Sequence, residues 1–119
     1  MLKKSVQVKN AKALILGITF KENCPDIRNT RAIDIYHELT DYGMDVDVYD
    51  PWASDVEVKF EYEINILNKF PEGNGYNAII LAVAHNEFLE IDLKKYKDRG
   101  TIIFDVKGIL EKNMVHSRL

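Results

Sequence analysis

Three runs of apolar residues restrict this chain to a sheet that is buried on both faces. They are Ala13-Leu-Ile-Leu-Gly-Ile-Thr-Phe20, Asn77-Ala-Ile-Ile-Leu-Ala-Val83 and Thr101-Ile-Ile-Phe-Asp105. A strand with one wet face alternates apolar and polar residues. These runs are continuous, as parallel strands covered by helices are. After the first run, Ala32, Ile35, Tyr36, Leu39 and Tyr42 recur at steps of three and four, which predicts a helix burying those residues. Asn29 or Thr30 is its expected N-cap, and Gly43 its stop. Asp45-Val-Asp-Val-Tyr49 alternates like a more exposed strand, and Asp50-Pro51 ends it. A short helix over Asp55 to Tyr62, a brief strand near Ile64 to Leu67, and a turn at Pro71-Glu-Gly-Asn-Gly75 follow. Short helical segments are expected around Phe88-Leu89 and from Leu93 to Tyr96. The expected fold is α/β: an open, doubly wound, Rossmann-like parallel sheet of about five strands in the order 3-2-1-4-5. With no internal repeat or linker, residues 1–119 read as one domain, with residues 1–12 as a lead-in.

That strand order has a functional consequence. The first strand and the one at 77–83 lie side by side where the winding reverses, and ligands bind beyond the carboxyl ends of strands there. The loops at 19–30, 84–88 and 105–109 are therefore expected to converge on one edge. Charge and hydropathy narrow the ligand class. A net charge of −3 advertises no nucleic-acid surface, and no apolar run is long enough to span a membrane. The opening Met1-Leu-Lys-Lys-Ser-Val-Gln has no apolar signal core, and one cysteine cannot form an internal disulfide, so a cytoplasmic setting is expected. Residues 1–21 carry five lysines and no acid, a solvated N-terminal stretch in which Lys21 alone looks placed.

Lys21 and Arg28 flank a loop, Gly17-Ile-Thr-Phe-Lys-Glu-Asn-Cys-Pro-Asp-Ile-Arg-Asn-Thr30, that leaves a buried strand and opens a helix. Phosphates bind at such junctions, because the first helical N–H groups are unpaired and the dipole is positive there. Lysine is a mobile point charge and arginine a fixed fork of donors, so the pair suits a pyrophosphate or a carboxylate. Spacing alone leaves a second reading open, in which Arg28 pairs with Asp26 and Lys21 is solvated.

The wording Gly-x-x-Phe-Lys-x-Asn-x-x-Asp-x-Arg-Asn-Thr, followed by Tyr49-Asp50-Pro51, resembles the C-terminal domain of UDP-glucose/GDP-mannose dehydrogenases. The likeness runs from Ala13 to about Leu110. It implies a UDP-sugar-binding domain of an NAD-dependent 6-dehydrogenase that oxidises a C6 hydroxyl to a carboxylate. Phe20 and Lys21 would contact the UDP-sugar, and Arg28 would reach toward NAD held mainly by an N-terminal domain. Lys107, in Phe104-Asp-Val-Lys-Gly108, stands where the family often has arginine and would also contact substrate. The wording looks closest to bacterial enzymes acting on UDP-N-acetylhexosamines for surface polysaccharides. The resemblance implies a fragment of a larger enzyme, inactive alone, whose Met1 need not be native. It also implies a parent that is a homodimer through a connecting helix absent here, so that the fragment is expected to be monomeric. The alternative is a free-standing nucleotide-binding module without chemistry.

Other residues carry less. Cys24 does not match the family's nucleophile motif and reads as an incidental loop thiol. His85 is expected to line the site or to serve a helix-start or surface role, with no partner readable nearby. His37 and His116 have no metal-ligand spacing around them. Asp50 cannot be a ribose-binding acid, because no G-x-G-x-x-G turn precedes it. It is expected to end its strand and organise the turn before Trp52, itself read as a packing residue. A signalling receiver domain is excluded, because the first strand ends in Thr19-Phe20-Lys21 where that fold needs acids.

Overall fold

Five parallel strands form one sheet: β1 (Lys12–Leu16), β2 (Asp45–Tyr49), β3 (Ala78–Leu81), β4 (Ile102–Asp105) and β5 (Ser117–Arg118), in the order β2-β1-β3-β4-β5. Among the described residues, four helices lie between them: α1 (Arg31–Asp41), α2 (Asp55–Tyr62), α3 (Asn86–Leu89) and α4 (Leu93–Asp98). The computed structural model describes residues 11–20, 23–28, 31–67, 69–71, 75–83, 85–89, 91, 93–98, 100–105 and 117–118.

Alternation along each strand divides the core into two layers. Ala13, Ile15, Ala78, Ile80 and Phe104 face one side, where Ala32, Ile33 and Leu39 of α1 and Val58 of α2 cover them. Leu14, Leu16, Ile79, Leu81 and Ile103 face the other, under Phe88 of α3 and Tyr96 of α4. The split follows from right-handed crossovers. The helices leading away from β1 toward the β2 edge share one face, and those leading from β3 toward β4 take the opposite one. The sheet is therefore doubly wound, as expected. Each fully buried aliphatic side chain contributes about 1.5–3 kcal/mol, so the central strands β1 and β3 supply most of the drive.

Both edges differ from expectation. The strand expected at 64–67 is reduced to a single parallel bridge between Tyr49 and Leu67. The segment lies in the expected place, outside β2, and Leu67 N–H donates to Val48 O at 2.7 Å. It buries Ile64 and Ile66 without extending the ladder. At the opposite edge β5 adds an unexpected parallel strand, with Phe104 paired to Ser117 and Asp105 to Arg118. Two polar residues carry no hydrophobic pattern to predict it.

Helix ends follow local chemistry. Gly43, at φ 89°, closes α1: its N–H donates to Thr40 O at 2.9 Å, and Met44 N–H reaches Leu39 O at 3.2 Å. That reversal puts Tyr42 outside the helical period and leaves it 49% exposed, not buried as expected, while Ile33 joins the core. The expected N-cap residues Asn29 and Thr30 lie outside the described residues. Ser54 caps α2, its hydroxyl accepting from Glu57 N–H at 3.3 Å.

Gly17 sits where β1 leaves the sheet, at φ 99°, with its N–H donating to Tyr49 O at 2.9 Å. A Cβ there would lie 2.5 Å from the Val83 Cβ. Gly17→Ala is therefore expected to destabilise the chain by about 3 kcal/mol, through backbone strain and overpacking together. Adding Val83→Ala should return little of that loss, because alanine keeps the Cβ that the new methyl meets. Urea unfolding of both variants checks this, and a neutral Gly17→Ala would refute the close approach.

Candidate functional site

Asp50 ends β2 and is wholly buried. Its Oδ1 accepts the amides of Trp52 at 2.7 Å and Ala53 at 3.1 Å, which shapes the turn after Pro51 as expected. Its Oδ2 does something the sequence did not disclose. It accepts the amides of Ile18 at 2.7 Å and Thr19 at 3.2 Å, beyond the end of β1. The same oxygen lies 3.0 Å from Nε2 of His85, whose side chain is equally buried. Burial alone would push the Asp50 carboxyl up. The His85 hydrogen bond and the amides of Ile18 and Trp52 outweigh it and hold the group below its ordinary value of 3.8.

His85 is thus neither a surface residue nor partnerless. Its Nδ1 lies 2.8 Å from the backbone nitrogen of Asn23, and an amide can only donate, so Nδ1 carries no proton. The proton is on Nε2, shared between Asp50 Oδ2 and Thr19 Oγ1 at 3.1 Å. Trp52 stacks on the imidazole at 5.9 Å between centroids, and its Nε1–H donates to Glu87 at 2.9 Å. Asn23, at φ 54°, accepts the Asn86 amide on its own Oδ1 at 3.0 Å. Carboxylate, imidazole and two asparagines therefore join the ends of β1, β2 and β3. The loops after β1 and β3 converge as the topology requires.

The predicted site residues sit on or beside this frame. Phe20 follows β1 and is 54% exposed, while its amide donates to Asp26 O at 2.6 Å and closes the loop. Arg28 is paired with Asp26: Nε lies 3.0 Å from Oδ1 and an Nη 2.9 Å from Oδ2. That hydrogen-bonded fork lowers the Asp26 carboxyl to about 2 and raises the Arg28 guanidinium. The second reading of the spacing is thus the geometry present here. With its side chain 83% exposed, Arg28 can exchange Asp26 for another anion at little cost. Lys21 and Lys107 lie outside the described residues, as does His116. Cys24 is half-buried and free. Among the described residues no group of three His, Cys, Asp or Glu side chains could hold a metal ion, and no helix is long and apolar enough to cross a membrane.

The described loop does not build a dinucleotide site. The turn after β1 has one glycine, and the space above it is filled by Val83 rather than open to a pyrophosphate. Beside the loop, Pro25 to Arg28 and Val56, Glu57, Phe60 and Glu61 of α2 line an open cleft of about 550 Å³.

Removing the Asp50 carboxylate would strand two amide donors and an imidazole N–H in the interior and leave two part-buried amides of the turn without their acceptor. Asp50→Ala is expected to cost about 3 kcal/mol or more in unfolding free energy. Because the folded carboxyl titrates below 3.8, its stabilisation is complete above that pH and drains away as pH falls through the folded value. Thermal unfolding from neutral pH into acid should show this loss in the wild type and a shallower one in Asp50→Asn. Equal acid sensitivity in both would remove Asp50 as the cause, leaving other carboxylates such as the exposed Asp26.

Residues 14–112 match the UDP-glucose/GDP-mannose dehydrogenase family, UDP binding domain. The chain is 41% identical to the UDP-N-acetyl-D-glucosamine 6-dehydrogenase of Pseudomonas aeruginosa, covering all of this chain and 29% of that protein. It is also 41% identical to the enzyme of that name from Salmonella typhi, of which it covers 28%. In fold it is similar to the NDP-N-acetyl-D-galactosaminuronic acid dehydrogenase of Methanosarcina mazei Go1, with TM-score 0.77 at 19% identity over 92% of this chain and 23% of that one. The chain thus spans less than a third of the length of the relatives it matches. A match over nearly its whole sequence, on the sheet and loop described above, makes this chain a member of the UDP-glucose/GDP-mannose dehydrogenase family, corresponding to its UDP-binding domain.

Proposed function

We propose that this chain is the UDP-sugar-binding part of an NAD-dependent UDP-N-acetylhexosamine 6-dehydrogenase that makes precursors of surface polysaccharides. The observation that carries the reading is the loop from Phe20 to Arg28. Buried Asp50 holds Ile18 and Thr19 just before it and buried His85 holds its Asn23, while Phe20 presents an exposed aromatic ring and Arg28 an exposed guanidinium at the point where the sheet reverses its winding. An acetylated glucosamine is the substrate we favour, because both relatives at 41% identity bear that name.

The chain's own residues act by position and charge. Phe20 packs on the UDP-sugar, Lys21 neutralises its diphosphate, and Lys107 adds a second cation from the loop after β4. Arg28 leaves Asp26 to reach toward NAD. The cofactor would supply hydride acceptance when bound, and with no glycine cradle in this chain it belongs to the remainder of the parent protein. That remainder also supplies the nucleophile and the homodimer contact, so the 119 residues alone are inactive. We place the parent in the cytoplasm, where a free thiol such as Cys24 persists.

Lys21→Ala in the native gene product carrying this sequence should raise KM for UDP-N-acetylglucosamine about tenfold or more, the loss of one charge-assisted contact. Its unfolding temperature should be unchanged. Wild-type kinetics in that variant would sink the site assignment.

A further inference from the structure

His85 has the attributes of a working group rather than a filler. A buried imidazole could be replaced by an apolar ring unless both nitrogens were needed, and both are engaged. Nε2–H faces Asp50 Oδ2 at 3.0 Å, and Nδ1 accepts the Asn23 amide at 2.8 Å. The second bond matters for the loop. Asn23 stands in the left-handed region at φ 54°, a conformation unfavourable to most side chains, and its amide is turned inward onto the ring. The reverse tie, from Asn86 N–H to Asn23 Oδ1 at 3.0 Å, ends on the helix that His85 itself precedes. Asn23 is thus gripped at its backbone and its side chain by one short segment after β3. Phe20 stands three residues before it, exposed, with Lys21 between them in sequence.

We propose that His85 is a positioning residue for UDP-sugar binding: Asp50 fixes its Nε2–H tautomer, and the bare Nδ1 holds the Asn23 amide so that Asn23 is set before ligand arrives. This rests on the UDP-sugar reading above. It assigns His85 no contact with the ligand. Its effect is preorganisation, which removes an ordering cost from the binding step. The mechanism has a chemical signature. A proton on Nδ1 would face the Asn23 N–H donor to donor, so the contact requires the Nε2–H tautomer. The described titratable groups around that ring are Asp50, from the end of β2, and Glu87 of α3, at one remove through the Trp52 indole; the end of β1 contributes the uncharged Thr19.

Two isosteres separate the two nitrogens. His85→Asn puts an amide oxygen where Nδ1 stands and abandons Asp50, whereas His85→Gln reaches the Nε2 position and abandons Asn23. UDP-N-acetylglucosamine, whose doubly esterified diphosphate does not titrate near neutrality, is the probe. Its affinity for the native gene product is measured by calorimetry, alongside the unfolding temperature of each protein. H85Q should weaken binding about tenfold, the worth of one such bond, and H85N by less than about threefold, whatever their order of stability. Equal losses in the two variants, or losses that follow unfolding temperature, would overturn the proposal. If neither variant folds, the imidazole nitrogen NMR spectrum of the wild type decides, and a proton on Nδ1 of His85 overturns it. A wild type that does not bind the nucleotide sugar at all would instead overturn the functional reading on which the proposal stands.

Discussion

A single buried carboxylate holds the carboxyl edge of this sheet together. Asp50 receives donors from three separate chain segments: the residues after β1, the turn after β2, and the histidine after β3. In a parallel sheet the strands end side by side, and their last amides have no ladder partner. Water would ordinarily serve them, but here the edge is covered and Ile18, Thr19 and His85 are fully buried. An ionised acceptor can satisfy several donors at once, and each charge-assisted bond is about twice as strong as a neutral one. That is why burial fails to neutralise Asp50, whose carboxyl stays below its ordinary value.

The rest of the architecture makes this arrangement possible. Gly17 lets β1 pass within van der Waals reach of Val83, which draws the ends of β1 and β3 together. The two-layered core fixes the vertical register of both strands, Leu16 opposite Leu81. Only with that register does a histidine four residues beyond β3 meet an aspartate one residue beyond β2. The interior is dense enough that small displacements carry a penalty, so the hydrogen-bonded edge and the apolar core reinforce one another.

The exposed side of the edge obeys different physics. Arg28 and Asp26 form a fork at the surface, where such a pair contributes little stability and is easily exchanged. The backbone beneath it is firm: Phe20 N–H closes onto Asp26 O, and the Tyr62 hydroxyl donates to Ile27 O at 2.5 Å. The exposed charge is thus replaceable while the backbone at Phe20, Asp26 and Ile27 is held.

Much of this was legible in the residues. Continuous apolar runs identified the central strands, because a strand buried on both faces has no polar positions. The alternation of strands and helices then dictated the parallel order. The Phe20–Arg28 motif marked its loop and its family, since local wording survives without knowledge of the fold. Elements decided by few residues were not legible: β5 has two polar residues, and the strand at 64–67 thinned to one bridge. Tyr42 left the core because a glycine turn, not a hydrophobic period, governs the residue that follows α1. The pairing of Asp50 with His85 lay furthest from reach. Thirty-five residues separate the two, and each reads alone as a polar residue at a strand end. Local sequence determines which segments are strands and which residues could bear charge; only the packed sheet decides which polar groups are shut away from water together, because that exclusion is a property of the assembled edge and of no segment alone.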